Sequence, residues 1–152
     1  MLNKQYTYDE MMHMAMASDY DRLIDPTDPV FLAPDSMLQA IRTYLGEPEL
    51  PLGDLLASVY HSLAASYDKT VQEIQRISGK SIRSILIVGG GSKDMYLNQL
   101  TAKHSGKRVC IGLTEGTATG NLISQVMYTE HMSLTEARET IKETFQISEV
   151  SV

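Results

Sequence analysis

The sequence reads Ser84-Ile85-Leu86-Ile87-Val88-Gly89-Gly90-Gly91-Ser92 at the point where an apolar run ends in three glycines. The run predicts a buried β-strand from Ser84 to Val88, and the segment after the glycines has the apolar spacing of a helix. Because glycine has no Cβ, backbone N–H groups in such a turn can approach an anion, and the next helix adds the positive end of its dipole. The pattern therefore predicts a phosphate-binding turn.

A second polar turn, Thr114-Glu115-Gly116-Thr117-Ala118-Thr119-Gly120-Asn121, follows a second predicted strand at Arg108 to Ile111. Helical patterns at Met95 to His104 and Thr117 to Thr129 complete a βαβα order. Connections of this length are nearly always right-handed and make the strands parallel. Both turns are therefore expected at the same edge of one sheet.

The remaining predicted elements are helical. A capping box at Thr7 to Glu10 opens a helix to about Ser18, Pro34 is taken as a first helical position, and Ser133 to Glu136 is a second capping box. The predicted helices outside the βαβα unit run from Tyr8 to Ser18, Pro34 to Leu45, Leu52 to Gly79 and Ser133 to Phe145. The chain is thus divided into a helical part, 8–79, and a βαβα part with a final helix, 84–145.

Composition limits the class of protein. The 152 residues amount to one domain, and 43% hydrophobic with 21% charged residues is ordinary globular usage. The formal net charge of -6, with 13 dispersed Lys and Arg, argues against nucleic acid as a partner. No run is apolar enough for a membrane span or a signal peptide, and the single cysteine, Cys110, fits a reducing compartment. We expect a cytoplasmic protein.

The glycines do not fit the common nucleotide motifs. Gly89 to Gly91 lack the G-x-G-x-x-G spacing, because Asp94 stands where the third glycine would be, and the P-loop pattern is also missing. A tight turn without a ligand is the plain alternative, but three successive glycines cost backbone entropy, which favours a close ligand.

Other polar residues carry weaker signals. Glu115 either contacts a sugar hydroxyl or caps the following helix, and Asn121 faces either a ligand or water. Cys110 in an apolar strand is expected to be buried as a small hydrophobe, and no catalytic triad is recognisable. The four histidines, at 13, 61, 104 and 131, have no metal-ligand spacing, so no metal site is expected.

Three stretches in the same order resemble the C-terminal domain of the FGGY carbohydrate kinases. They are Ile85 to Ser92, Leu97-Asn98-Gln99-Leu100-Thr101-Ala102, and Glu115 to Asn121. Within the family, Ile24 to Pro29 with Phe31, and Ser62-Leu63-Ala64 with Tyr67, are similar to the subgroup that phosphorylates L-rhamnulose.

The resemblance implies a partial ribonuclease H-like second domain of the actin-like ATPase superfamily, predominantly helical with a remnant of two parallel strands. It implies an ATP- and Mg²⁺-dependent kinase in which this chain is the nucleotide side, with Gly89, Gly90, Gly91 and Asp94 at the cofactor. The N-terminal domain and the catalytic aspartate have no counterpart in this sequence, so the chain alone is expected to be inactive. The edge of the strand from Ser84 to Val88 would then be open, and we expect self-association through this edge or through the exposed helix faces.

Three alternatives remain open at this stage. The sugar is either L-rhamnulose or another ketose, such as L-fuculose or xylulose. A non-catalytic helical interaction module predicts no nucleotide affinity. A Rossmann-like binder of another cofactor is supported by the Gly89-x-Gly91 turn and by Glu115 after the second strand.

Overall fold

The computed structural model describes residues 5–145 and 147–151. Contacts divide the chain after Gly79 into two compact units, each with a hydrophobic cluster of its own. Within the described residues, no helix has the length and apolar character that crossing a membrane requires.

The first unit is helical. Its elements are α1 (Tyr8–Met16), a 3-10 turn (Pro29–Phe31), α2 (Met37–Leu45) and α3 (Leu52–Ser78). The capping box that opens α1 is confirmed, because Thr7 N donates to Glu10 Oε2 at 2.7 Å and Glu10 N donates to Thr7 Oγ1 at 3.2 Å. The predicted stop of the long helix is also confirmed: Gly79 ends α3 in the left-handed conformation, with φ at 68°.

The predicted start of α2 is wrong. Pro34 lies outside the helix, which begins at Met37 after Ser36 as its N-cap. The Ser36 hydroxyl accepts from Gln39 N at 3.4 Å, so a capping side chain, rather than the fixed φ of proline, marks this boundary. Gly46 ends the helix with φ at 72°.

The core of the first unit lies between α2 and α3. Ile41 and Leu45 from α2 meet Leu50 and Leu55 around the start of α3, and all four are buried. The irregular segment before α2 is anchored to α3 by hydroxyls, since Ile24 N donates to Ser62 Oγ at 2.9 Å. Burial of the four apolar side chains is the main favourable contribution to the folding of this unit.

The second unit is a small α/β layer. Its elements are β1 (Ser84–Ile87), a 3-10 turn (Gly90–Lys93), α4 (Met95–Ser105), β2 (Arg108–Ile111), α5 (Gly116–Thr129), α6 (Leu134–Thr144) and β3 (Ser148–Glu149). Strands β1 and β2 are parallel, with Ile85 opposite Val109, as the βαβ pattern predicts. The second capping box is confirmed at the start of α6.

The prediction of a two-stranded remnant is wrong. The described residues form a three-stranded sheet in the order β1-β2-β3, in which β3 is antiparallel to β2. Two residues, Ser148 and Glu149, are too few to show strand periodicity, so the alternation on which a strand prediction depends is missing. The strand is fixed instead by its partner, since Val150 N donates to Val109 O at 2.9 Å.

The two faces of the sheet differ. On one face, α4 packs against β2, and Val109 is buried with Ala102 and Val150. On the other face, Leu86 is 55% exposed and Val88 is half exposed, and none of the described α5 side chains is buried. Parallel sheets usually have both faces covered, so one apolar face of this unit lacks a cover within the described residues.

Candidate functional site

The first glycine of the turn has a backbone conformation that only a residue without a Cβ adopts readily. Gly89 has φ 78° and ψ -159°, a region that residues with a Cβ hardly enter. It lies two residues beyond the end of β1 and directly before the 3-10 turn from Gly90 to Lys93. Gly89 is therefore required by the backbone, whatever the turn binds.

The other two glycines are not explained in this way. Neither has a positive φ, a Cβ added at Gly90 would meet nothing within 4 Å, and one at Gly91 would touch only Ile87 Cγ2 at 3.8 Å. Backbone conformation and internal packing would both accept alanine at these positions. What glycine provides here is space above the turn.

The two turns that the sequence predicts at one sheet edge do lie together. Gly89 N donates to Leu113 O at 2.7 Å, which ties the glycine turn to the second turn. An open groove of about 510 Å³ runs along this junction, lined by Val88, Gly89, Leu113, Thr114, Glu115, Gly116 and Thr117. The carboxyl ends of parallel strands are the usual place for ligands in open α/β sheets.

Asp94 lies at the far end of the glycine turn. It is 7% exposed, and its Oδ1 accepts from Leu97 N at 3.0 Å as the N-cap of α4. The carboxylate thus has a structural task at the helix start. Asp94 does not line the groove described above.

Glu115 and Asn121 are placed differently from each other. Glu115 precedes α5 at the N-cap position, but its side chain makes no capping hydrogen bond and lies exposed beside the groove. Asn121 is exposed on α5 and does not line the groove. Of the two, only Glu115 is brought to the candidate site.

Sequence reasoning missed two polar side chains beneath the turn. Ser92 is buried, and its Oγ donates to Gly89 O at 2.7 Å. Asn98 is 1% exposed, and its Nδ2 donates to Ser92 O at 3.2 Å. The sequence gives little signal for them, because Asn98 and Thr101 are both polar and do not mark the buried side of the helix.

Neither the single cysteine nor a metal-ligand cluster contributes to this site among the described residues. Cys110 is partly buried in β2, as a free thiol. Within 5–145 and 147–151, no cluster of three or more His, Cys, Asp or Glu side chains could hold a metal ion.

The sequence of the chain matches a known class of proteins. The sequence profile of the C-terminal domain of the FGGY family of carbohydrate kinases matches residues 3–129. The chain belongs to this family.

Three similar proteins are each named rhamnulokinase. Rhamnulokinase of Oceanobacillus iheyensis is 34% identical over 151 residues, which are 95% of this chain and 32% of that protein. Rhamnulokinase of Halalkalibacterium halodurans is 36% identical over 151 residues, with the same coverage of both chains. Rhamnulokinase of Bacillus subtilis is 32% identical over 152 residues, which are 96% of this chain and 31% of that protein. The chain thus spans about a third of the length of these curated relatives.

Proposed function

We propose that this chain is the nucleotide-binding part of an ATP-dependent sugar kinase that converts L-rhamnulose to L-rhamnulose 1-phosphate. The name shared by the relatives supports the sugar, and the family supports the reaction. The proposed cofactors are ATP and Mg²⁺. Proteins usually bind Mg²⁺ through one or two carboxylates together with the phosphates of the substrate, so the ion would bind with the nucleotide.

The observation that carries the proposal is the unexplained glycine at position 90. Neither φ nor packing within the chain requires it, and it directly follows Gly89, which lines the groove at the carboxyl end of β1. Glycine is favoured where a backbone approaches a ligand closely. The open space above Gly90 leaves room for the phosphates or ribose of a nucleotide.

In this proposal Gly89, Gly90, Gly91 and Asp94 form the cofactor side of the site. Gly89 sets the direction of the turn, Gly90 and Gly91 leave room for the nucleotide, and Asp94 fixes the start of α4. The unit would be part of a ribonuclease H-like second domain, with the catalytic aspartate supplied by another part of the kinase. Phosphoryl transfer depends mainly on positioning and charge neutralisation, and half of a cleft provides little of either. The chain alone is therefore proposed to be inactive.

The sugar is the part of the proposal that depends most on the relatives. No residue of this chain is assigned to the sugar, so L-fuculose and xylulose are the competing ketoses. The longer protein should phosphorylate L-rhamnulose in a coupled ADP-release assay with all three sugars. A clear preference for L-fuculose or xylulose would contradict L-rhamnulose as the substrate but would still support a sugar kinase.

Nucleotide binding is tested on the chain itself with Gly90→Ala. We expect ADP to bind in a calorimetric or NMR titration, and Gly90→Ala to weaken binding by about 10-fold because the methyl group occupies the nucleotide's space. Gly120→Ala is the control, since a Cβ there also meets nothing within 4 Å, but Gly120 lies on α5 and not in the glycine turn. Equal ADP affinity of Gly90→Ala and wild type would contradict the assignment.

Two further proposals concern the surroundings of the chain. We propose a cytoplasmic location, because ATP is available there and the single cysteine suits a reducing compartment. We also propose self-association through β1, which pairs with β2 on one side only among the described residues.

A further inference from the structure

Asn98 is an unusual residue for its place in the fold. It lies inside α4, is 1% exposed, and occupies a position where helices normally bury an apolar side chain. Asparagine is a poor helix former, and a buried amide is costly unless it is hydrogen bonded. Its presence is therefore best explained by the bond that it makes.

That bond leads to the glycine turn. Asn98 Nδ2 donates to the carbonyl oxygen of Ser92 at 3.2 Å, and Ser92 in turn holds Gly89. The hydroxyl and the N–H of Ser92 both reach Gly89 O, at 2.7 and 3.1 Å. The three residues form a chain of hydrogen bonds from the interior of the unit to the end of β1.

We propose that Asn98 is a positioning residue that holds the glycine turn in its nucleotide-binding conformation. The expected loss of nucleotide affinity rests on the proposed function. The expected effect on the conformation of the turn rests on the hydrogen bonds alone. Asn98 lies beneath Ser92 and is buried, so it acts through the backbone of Gly89 to Ser92 rather than by touching the nucleotide.

The chemistry of the contact is specific to an amide. Ser92 O is an acceptor, so the group opposite must donate. An ionised aspartate of nearly the same shape would set a carboxylate against the carbonyl oxygen, and alanine would leave the carbonyl without this donor. A turn that leaves its binding conformation for part of the time loses affinity in proportion to the competent fraction.

The test compares Asn98→Asp and Asn98→Ala with Thr101→Val. Thr101 is also fully buried on α4, but its hydroxyl donates to Leu97 O at 2.8 Å, within the same helix and away from the turn. The first measurement is amide hydrogen exchange by NMR at Ser92, relative to Gly112, whose N–H donates to Ile87 O at 3.0 Å in the sheet. We expect both Asn98 variants to raise this ratio at least about 10-fold, and Thr101→Val to leave it unchanged.

The ratio separates local from global effects. Equal acceleration at Ser92 and Gly112 would mean that Asn98 merely supports the stability of the unit, and would overturn the proposal. If one variant does not fold, the other decides, since Asp keeps the size of the side chain and Ala keeps its neutrality.

The second measurement is ADP affinity of the chain and of the longer kinase. We expect a loss of about 10-fold for both Asn98 variants and no loss for Thr101→Val. Unchanged affinity in the Asn98 variants, with a wild type that binds, would overturn the proposal. A wild type that binds no adenine nucleotide in either form would refute the proposed function and the affinity effect together. The exchange ratio would still decide whether Asn98 holds the turn.

Discussion

At the scale of single residues, three identical neighbours have different reasons to be glycine. Gly89 has a backbone conformation that excludes other residues, whereas Gly90 and Gly91 have ordinary φ values and open space above them. The first is a requirement of the fold, and the other two are explained best by what approaches the turn. A substitution at Gly89 should therefore lower the stability of the unit, whereas a substitution at Gly90 or Gly91 should weaken ligand binding.

Gly89→Ala should destabilise the second unit by about 1–3 kcal/mol, because alanine at this φ and ψ is strained. Urea unfolding followed by circular dichroism measures the change. The matched control is Gly90→Ala, for which we expect a change below about 1 kcal/mol. A Gly89→Ala variant as stable as Gly90→Ala would show that the turn relaxes without cost.

The sequence predicts this turn well but leaves its supports unidentified. An apolar run ending in three glycines indicates a strand followed by a tight turn, because both signals are local. The sequence does not tell which glycine takes the positive φ, since that depends on the bond from Gly89 N to Leu113 O, 24 residues along the chain. The same holds for Asn98, whose partner is defined only once α4 folds back on the turn.

At the scale of elements, helix starts were predictable where a capping side chain marks them. Both capping boxes form, because each consists of residues three apart that satisfy one another. The start of α2 was missed, since Pro34 and Ser36 are both plausible first-turn residues and only the hydrogen bond from Gln39 N selects Ser36. Strand β3 was missed because its cause lies in β2 rather than in its own two residues.

The capping box of α6 gives the stability of this helix a pH dependence. Hydrogen bonds from the Ser133 hydroxyl and N–H lower the pKa of Glu136 below the ordinary glutamate value. A lowered folded-state pKa stabilises the fold above the unfolded pKa of about 4.5, and this stabilisation is lost as the pH falls through the folded value. Acidification should therefore weaken the start of α6.

Ser133→Ala tests this dependence. We expect the variant to be less stable than wild type near neutral pH, and the difference to shrink as the pH falls below about 4.5. Urea unfolding at a series of pH values measures it, with Ser133→Thr as a control that retains the hydroxyl. A difference between Ser133→Ala and wild type that is the same at every pH would be inconsistent with a role for the Glu136 charge.

At the scale of the whole molecule, the chain leaves apolar surface uncovered in its second unit. Leu86 on β1 is 55% exposed, and the outer edge of β1 has no partner strand among the described residues. Exposed strand edges recruit further strands.

Self-association should therefore depend on β1. We expect the wild-type chain to sediment as a concentration-dependent mixture of species, and Leu86→Lys to shift it to monomer, because lysine on an edge strand opposes pairing. Ile77→Lys is the matched control, since Ile77 is 75% exposed on α3 in the other unit. A shift produced by Ile77→Lys but not by Leu86→Lys would assign the contact to the helices.

The short third strand sets the stoichiometry of any such assembly. Strand β3 has only two residues, and one of them is Glu149, whose Oε2 lies 3.8 Å from Arg108 Nε. A short strand with a charged side chain is a poor template for another strand, so its outer edge should stay unpaired. Sheet growth is then favoured at one end alone. Two copies that join through β1 would use up the favourable edge of each, so the assembly should stop at a dimer with a six-stranded sheet rather than extend into a fibre.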